Sequence, residues 1–335
     1  MMLAVGSRNY PISNLKSPIS NDTFDIWNLN LRFLVRRLAA IVLVLWAAAT
    51  LAFFAAHLLP GDPATQMLAR AGASSQAIAE RRAQIGWDRP LLEQYARFVW
   101  NLAHFNLGES WIVGRPVTRM LAEAAPPTLE LAVAAMLVAT LAGVGLGTLA
   151  ASFRGTWLDA VGMTVALLGI STPVAWSGLL ALMVFSVALG WLPATGSDGV
   201  LYLILPATVL GLASAGAIAR LTRAGLLEVM TETYITVARS KGLPGWLMLT
   251  RHVWPVALPP VLAVMALQFG FLLGGAAVTE AVFARQGLGR LAVEAVLSQD
   301  LPVVQGIVLL SAAVYSLVNL SADALHWLLD PRVRE

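Results

Sequence analysis

The chain has 335 residues, 58% of them hydrophobic and 12% charged, with a mean hydropathy of +0.73. Soluble domains carry about 25% charged residues, so composition excludes an ordinary water-soluble protein and points to a polytopic membrane protein. The 22 Lys and Arg against 19 Asp and Glu leave +3, too little to call for nucleic acid. With no cysteine there is no disulfide, thiolate metal site or cysteine nucleophile.

Residues 1–32 read as a polar tail. They do not resemble a cleavable signal peptide, because the apolar run that follows is too long and lacks a small-residue cleavage site. Six stretches run uncharged for about 19 residues or more, enough to cross roughly 30 Å of hydrocarbon. They are Leu38–Ala56, Leu131–Phe153, Ala160–Trp191, Val200–Ala219, Val253–Thr279 and Leu301–Ala322. The first belongs to a membrane helix over 33–59. The other five form a core over 128–327, followed by a tail over 328–335. Six spans put both termini on one side. Of the Lys and Arg, 13 fall on the side of the termini and 9 on the other. Seven of the nine sit in the long 60–127 loop, where the charge rule has little force. The termini and the 220–252 loop are therefore expected to be cytoplasmic.

In the 60–127 loop, Gly61-Asp62-Pro63 reads as a turn. Gln76–Gly86 and Leu91–Phe105 have helical patterns, and Tyr95, Phe98, Val99 and Leu102 form an apolar face expected to pack on the membrane domain. In the core, Gly143, Gly145 and Gly147, and later Gly274 and Gly275, are expected to let helices approach closely. Pro173 should kink the third span. Pro173, Gly274 and Gly275 are the candidate bending or gating positions. Intramembrane carboxylates mark function by default. Glu130, Asp159, Glu280 and Asp323 all lie near predicted helix ends and read as caps or anchors, Glu280 being the best exception.

The longest polar interruption of the second half, Leu226–Pro260, reads as helix, glycine stop, second helix. Met230, Tyr234, Val237 and Ala238 recur at helical spacing as an apolar face. Glu228 and Glu232 sit towards the start and Arg239 and Lys241 at the end, as the helix dipole favours. Gly242 falls where a left-handed cap would end the helix. On pattern alone, an interfacial amphipathic helix and a docking lever fit equally.

TVARSKG at 236–242, followed after nine residues by HVWP, resembles the coupling loop of ABC-transporter permeases. Tyr234, Ala238, Arg239, Lys241, Gly242, Arg251 and His252 match its peptide-permease version, while Thr236 and Val237 replace the usual Glu and first Ala. LLPGDPA, IGWDRPLLEQYARF and NLGES, in that order, resemble the B-type subunit of dipeptide, oligopeptide and nickel permeases. Glu280–Gly289 is similar to the ETVFxxPGLG motif, with Gln286 in place of proline. LPVVQG at 301–306 and LLDPRVR at 328–334 match further. The resemblance runs from Phe33 to Arg334.

It implies an all-α fold of the ABC importer type I kind: six transmembrane helices, a long extracytoplasmic loop after the first, and a coupling loop over 224–252. It also implies a bacterial inner-membrane location. The implied partners are a homologous C-type permease, two ABC ATPases, an extracytoplasmic solute-binding protein and membrane lipid, with no nucleic acid. The sequence has no phosphate-binding loop of the Gly-x-x-x-x-Gly-Lys-Ser/Thr type, so ATP hydrolysis is assigned to the partners. No catalytic residue, cofactor or metal ligand is assigned. Peptides are the expected solute, because a bare metal ion needs converging imidazole, thiolate or carboxylate ligands and the predicted spans hold none near their middles. A nickel-chelate importer is the alternative. A membrane-embedded hydrolase would need a His or acid to match Ser171, Thr172 or Ser177.

Overall fold

A computed structural model of the chain describes residues 31–58, 65, 74–196 and 199–329, without the side chains of 31–34, 322, 323 and 325–329. The N-terminal tail, the Gly61-Asp62-Pro63 turn, the Asp323 side chain and the LLDPRVR match from residue 330 on lie outside the described residues. The chain forms two compact units, residues 1–40 and 41–335. Of the first, residues 31–40 are described and are helical.

The described elements are helical apart from one isolated bridge between Glu109 and Pro116. Helix α1 spans Leu31–Leu58, α2 Ser75–Ile85, α3 Leu91–Ala103 and α4 Val117–Ser152. Then come α5 (Trp157–Ser171), α6 (Val174–Ala181, continued by a wider π-helical winding over Leu182–Ala188) and α7 (Leu201–Met230). The short α8 (Thr233–Ser240) and α9 (Gly245–Met248) lead through Leu249–Val253 into α10 (Trp254–Val282). The last described elements are α11 (Leu288–Ser298) and α12 (Leu301–Leu329).

Among the described residues five helices are long and apolar enough to cross a membrane. A sixth span arises only if α5 and α6, bent by 103° at Pro173, count as one. The sequence called for a kink; the structure has a break. Thr172, the residue before the proline, is forced out of helical geometry to φ −88°, ψ 124°, and Pro173 itself stands at ψ 130°. Two consecutive extended residues end one helix and start another.

Helix α4 is longer than its predicted span. It begins at Val117 and carries Pro126 and Pro127 inside it. Its first turns pack Val117 and Leu121 against Ala295 of α11 and Val303 and Ile307 of α12. That burial explains why helix extends eleven residues, 117–127, into what the sequence assigned to the loop.

Helices α4, α7 and α10 make the centre, through Leu131 and Ala135, Ala207 and Leu210, and Leu272 and Ala276. Glycine sets the spacing of α4 and α7. A Cβ on Gly143 would stand 2.7 Å from the Ala215 carbonyl oxygen, and one on Gly147 2.5 Å from that of Ala219. These two glycines, one turn apart, admit the α7 backbone, as the small-residue rule expects. Gly145 between them faces open space. Within this chain and among the described residues, no atom lies within 4 Å of where a Cβ on Gly274 would stand, and one on Gly275 meets Leu210 Cδ1 at 3.4 Å. A glycine in sequence says that a neighbour can come near, not that one does.

The apolar face of α3 packs as expected on the membrane domain, against α1. Phe98 stacks on Phe53 with ring centroids 5.5 Å apart, and Tyr95 lies against both Phe53 and Phe54. His57 stacks on Trp87 at 4.4 Å and meets Gln94 Oε1 at 3.1 Å.

Candidate functional site

The residues of the expected coupling loop and Glu280, both singled out by the sequence, lie at the two ends of α10, and Pro173 lies apart from them. At the start of α10 lies the 231–252 segment. Helix α7 stops at Met230 because Glu232 turns extended, with ψ 145°. Glu232 then stands at the N-cap position of α8, without a side-chain cap hydrogen bond. This break changes the register of the expected apolar face. Met230 and Glu228 belong to α7, not to the start of the second helix. The buried residues of α8 are Ile235 and Ala238, whereas Tyr234 and Val237 are 44% and 48% exposed. Ile235, fully buried, joins Leu226 and Val229 of α7, Met248 of α9, Val253 and Ala257 around the start of α10, and Ala151 at the end of α4. The side chain that anchors α8 is thus one that sequence reasoning passed over. The only signal was an isoleucine three residues before a small apolar one.

Gly242 takes φ +77° just past the end of α8, and its N–H donates to the Arg239 carbonyl at 3.0 Å. No atom lies within 4 Å of where its Cβ would be, so conformation rather than crowding favours glycine there. Thr236, Arg239, Lys241 and Arg251 are exposed, as is Trp246, while His252 is half-buried. The segment therefore has a fixed inner face and an outer face of aromatic, apolar and cationic groups. Nearby, the Arg223 fork of α7 donates to Asp159 of α5 at 2.7 and 2.8 Å, and the Gly155 N–H donates to the same carboxylate at 3.1 Å. Asp159, read from the sequence as a cap or anchor, ties α5 to α7 here.

At the far end of α10, Glu280 is fully buried. It accepts from the Thr128 hydroxyl of α4 at 2.6 Å and from the backbone N–H groups of Gly289 and Arg290 at 2.8 and 3.2 Å. Thr128 Oγ1 also accepts from the Leu288 N–H at 2.8 Å. The first three N–H groups of α11, orphans by helix geometry, are thus met by side chains from two other helices. A Cβ on Gly287 would stand 2.1 Å from Glu280 Oε1, so the clasp and the glycine require each other. The turn survives the loss of the motif's proline: Ala284 takes φ +53° and Gln286 is exposed. Arg285, 1% exposed, donates to Glu130 Oε2 at 3.1 Å and through its backbone to the Glu280 carbonyl at 2.9 Å. A second clasp lies past the other end of α11. The buried Asp300 carboxylate, just before α12, accepts from the Ser110 hydroxyl and, at 3.0 Å, from the Trp111 N–H. It joins the NLGES stretch to LPVVQG.

Pro173 sits at the tip of a V formed by α5 and α6. Between them and α7 is a cavity of about 440 Å³. The Thr172, Ser177 and Thr208 hydroxyls on its wall each donate to a carbonyl of their own chain three or four residues back, so the wall is apolar.

The chain matches the family model "Binding-protein-dependent transport system inner membrane component" over residues 143–335, and "Binding-prot-dependent transport system membrane comp, N-term" over 30–132. It is 41% identical over 309 residues to the "Putative peptide transport system permease protein" of Brucella abortus (strain 2308), covering 90% of this chain and 98% of that one. It is 41% identical over 304 residues to the glutathione transport system permease protein GsiC of Salmonella typhimurium, covering 91% and 99%. Among solved structures it is similar to the permease fold of the inward-facing MetNI methionine ABC transporter, with TM-score 0.56 and 20% identity over 64% of this chain and 97% of that chain. The chain belongs to the binding-protein-dependent transport system inner membrane component family.

Proposed function

We propose that this family member is the membrane subunit of an ATP-driven importer of short peptides, and that the 224–252 segment couples it to partner ATPases. The observation that carries the solute class is the 41% identity, over nine-tenths of the chain, to permeases named for peptide and for glutathione transport; glutathione is itself a tripeptide. In this reading the translocation path lies between this chain and a homologous permease. A solute-binding protein delivers from the 60–127 side, which faces outward, and both termini are cytoplasmic.

The coupling role is supported by the two-faced build of α8 and α9. An interfacial helix needs its apolar face free for lipid, yet Ile235 and Ala238 are buried in protein. What faces away is Tyr234, Val237, Arg239, Lys241 and Trp246, a surface suited to a protein groove. Because α9 winds through Leu249–Val253 directly into α10, a push on Tyr234 or Lys241 is delivered to the central helix. Pro173 is the hinge of the moving part, and Gly274, exposed on α10, lies on the surface open to the path.

The test is uptake by vesicles holding this chain with its second permease, ATPases and binding protein. ATP-dependent accumulation of a labelled di- or tripeptide is expected. A complex that accumulates a nickel chelate, with excess peptide failing to compete, refutes the solute class. Unchanged peptide-stimulated ATP hydrolysis after Tyr234→Ala combined with Lys241→Ala refutes the coupling role.

A further inference from the structure

We infer that α3 is an interfacial helix, seated in the phospholipid leaflet that the Leu58 end of α1 reaches, which is the outer leaflet in the orientation proposed above. The inference rests on depth. Tyr95 of α3 shares a hydrogen bond of 2.8 Å between its hydroxyl and Thr50 Oγ1. Thr50 lies eight residues short of Leu58, the last residue of the membrane-spanning stretch Val35–Leu58. At 1.5 Å per residue that is about 12 Å inside the end of the span. The Tyr95 ring also lies against Phe54 at 5.7 Å and the Phe98 ring against Phe53 at 5.5 Å. A helix held to α1 at that level lies within the leaflet, not above it.

The polarity of α3 agrees with this placement. Helical geometry puts Glu93 and Arg97 on the side opposite Tyr95. Those two form an ion pair at 3.6 Å, and Arg89 reaches Glu93 at 2.6 Å. Tyr95 points down along α1 towards the bilayer centre, so the charged side points up towards water. Leu92, Ala96 and Ala103 lie between, on a flank that α1 does not cover, and Trp100 stands next to the charged rim. Leu92 is 79% and Trp100 68% exposed. Leucine on the flank, tryptophan at the rim and arginine above it is the order in which a bilayer interface sorts side chains. On α1, Leu51 and Leu58 are likewise 71% and 84% exposed, as leucines of a spanning helix are where they meet acyl chains. The occupant is therefore phospholipid, with acyl chains against Leu92 and headgroups around Trp100 and Arg97.

The chain has no cysteine, so single cysteines at Leu92 and Arg97, and at Leu51 as a reference, can each carry a nitroxide label without other changes. The full chain is reconstituted in phosphatidylethanolamine–phosphatidylglycerol bilayers. Relaxation by oxygen is then compared with relaxation by a water-soluble nickel chelate. At 92, oxygen should dominate as at 51; at 97, the nickel chelate should. A label at 92 as open to the nickel chelate as the one at 97 overturns the inference and leaves the flank free for a protein partner. A label at 92 closed to both reagents overturns it too, because protein then covers the site. A second measurement leaves α3 free of any label. Quenching by brominated phospholipid should be measurably weaker in Trp100→Phe than in the parent chain, and equal quenching refutes the placement. Neither readout depends on what the protein transports.

Discussion

The Glu280 clasp gives the sharpest energetic prediction. Glu280→Ala removes the acceptor of three hydrogen bonds. The Thr128 hydroxyl can turn to the Ala124 carbonyl, 3.4 Å away. The Gly289 and Arg290 N–H groups, aimed at a fully buried carboxylate, are left with nothing. Each orphaned buried donor costs about 1–3 kcal/mol, so the variant should lose about 2–6 kcal/mol, against about 0.5–2 kcal/mol for an ordinary N-cap. Gly287→Ala attacks the same contact from the other side. The backbone at 287, with φ −107° and ψ −176°, suits alanine, so the whole cost is the methyl group 2.1 Å from Oε1, which must expel the carboxylate. The two substitutions therefore share one loss. Equilibrium unfolding in mixed micelles should show the double variant less destabilised than the sum of the singles, by about 0.5–3 kcal/mol. A cost for Glu280→Ala below about 0.5 kcal/mol, or strict additivity, would refute the clasp.

Three further outcomes follow from single positions. Gly147→Ala should cost about 1–3 kcal/mol by wedging α4 from α7, while Gly145→Ala, facing open space, should be neutral or stabilise by up to about 1 kcal/mol through helix propensity; the same unfolding assay compares them. Gly242→Val, strained at φ +77° by about 1 kcal/mol or more with no clash to confuse the reading, should lower peptide-stimulated ATP hydrolysis in the complex while insertion and melting stay near the parent values. Single cysteines at Ser75 and Ser240, both exposed, should react with an impermeant maleimide from opposite faces of the membrane, and reaction from one face alone rejects the topology.

Most membrane-spanning helices were legible in the sequence because charge-free length is a physical requirement of hydrocarbon and leaves a long, simple trace. The helices of the 60–127 loop were legible too, since Gly86, now at φ +76°, and Pro90 punctuate them. The rest depended on partners far along the chain. Nothing near Val117 says that α11 and α12 will bury it, so the start of α4 was placed eleven residues late. The face of α8 was misjudged because one extended residue, Glu232, resets a periodicity that had been counted through from Met230. Glu280 was noticed as a charge near a helix end, but Thr128, 152 positions earlier, carries no mark of its own. The Asp300 clasp went unnoticed for the same reason.

The break at Pro173 has a consequence for where water can go. Helix α5 ends at Ser171, and the carbonyl groups of its last turn look towards a proline without an N–H and a chain that has already turned through 103°. Among the described residues only the Leu168 carbonyl of that turn recovers a bond, from the Thr172 N–H at 3.0 Å and the Thr172 hydroxyl at 2.6 Å. Carbonyls left over inside a bilayer cannot be abandoned to acyl chains. The Pro173 carbonyl is met by the Trp176 and Ser177 N–H groups of α6, but Ser171 is exposed on this chain, so a donor for its carbonyl must come from the surroundings. Placed inside a bilayer, such a bend needs water or a polar neighbour at that point, and lipid is the one medium that it rules out.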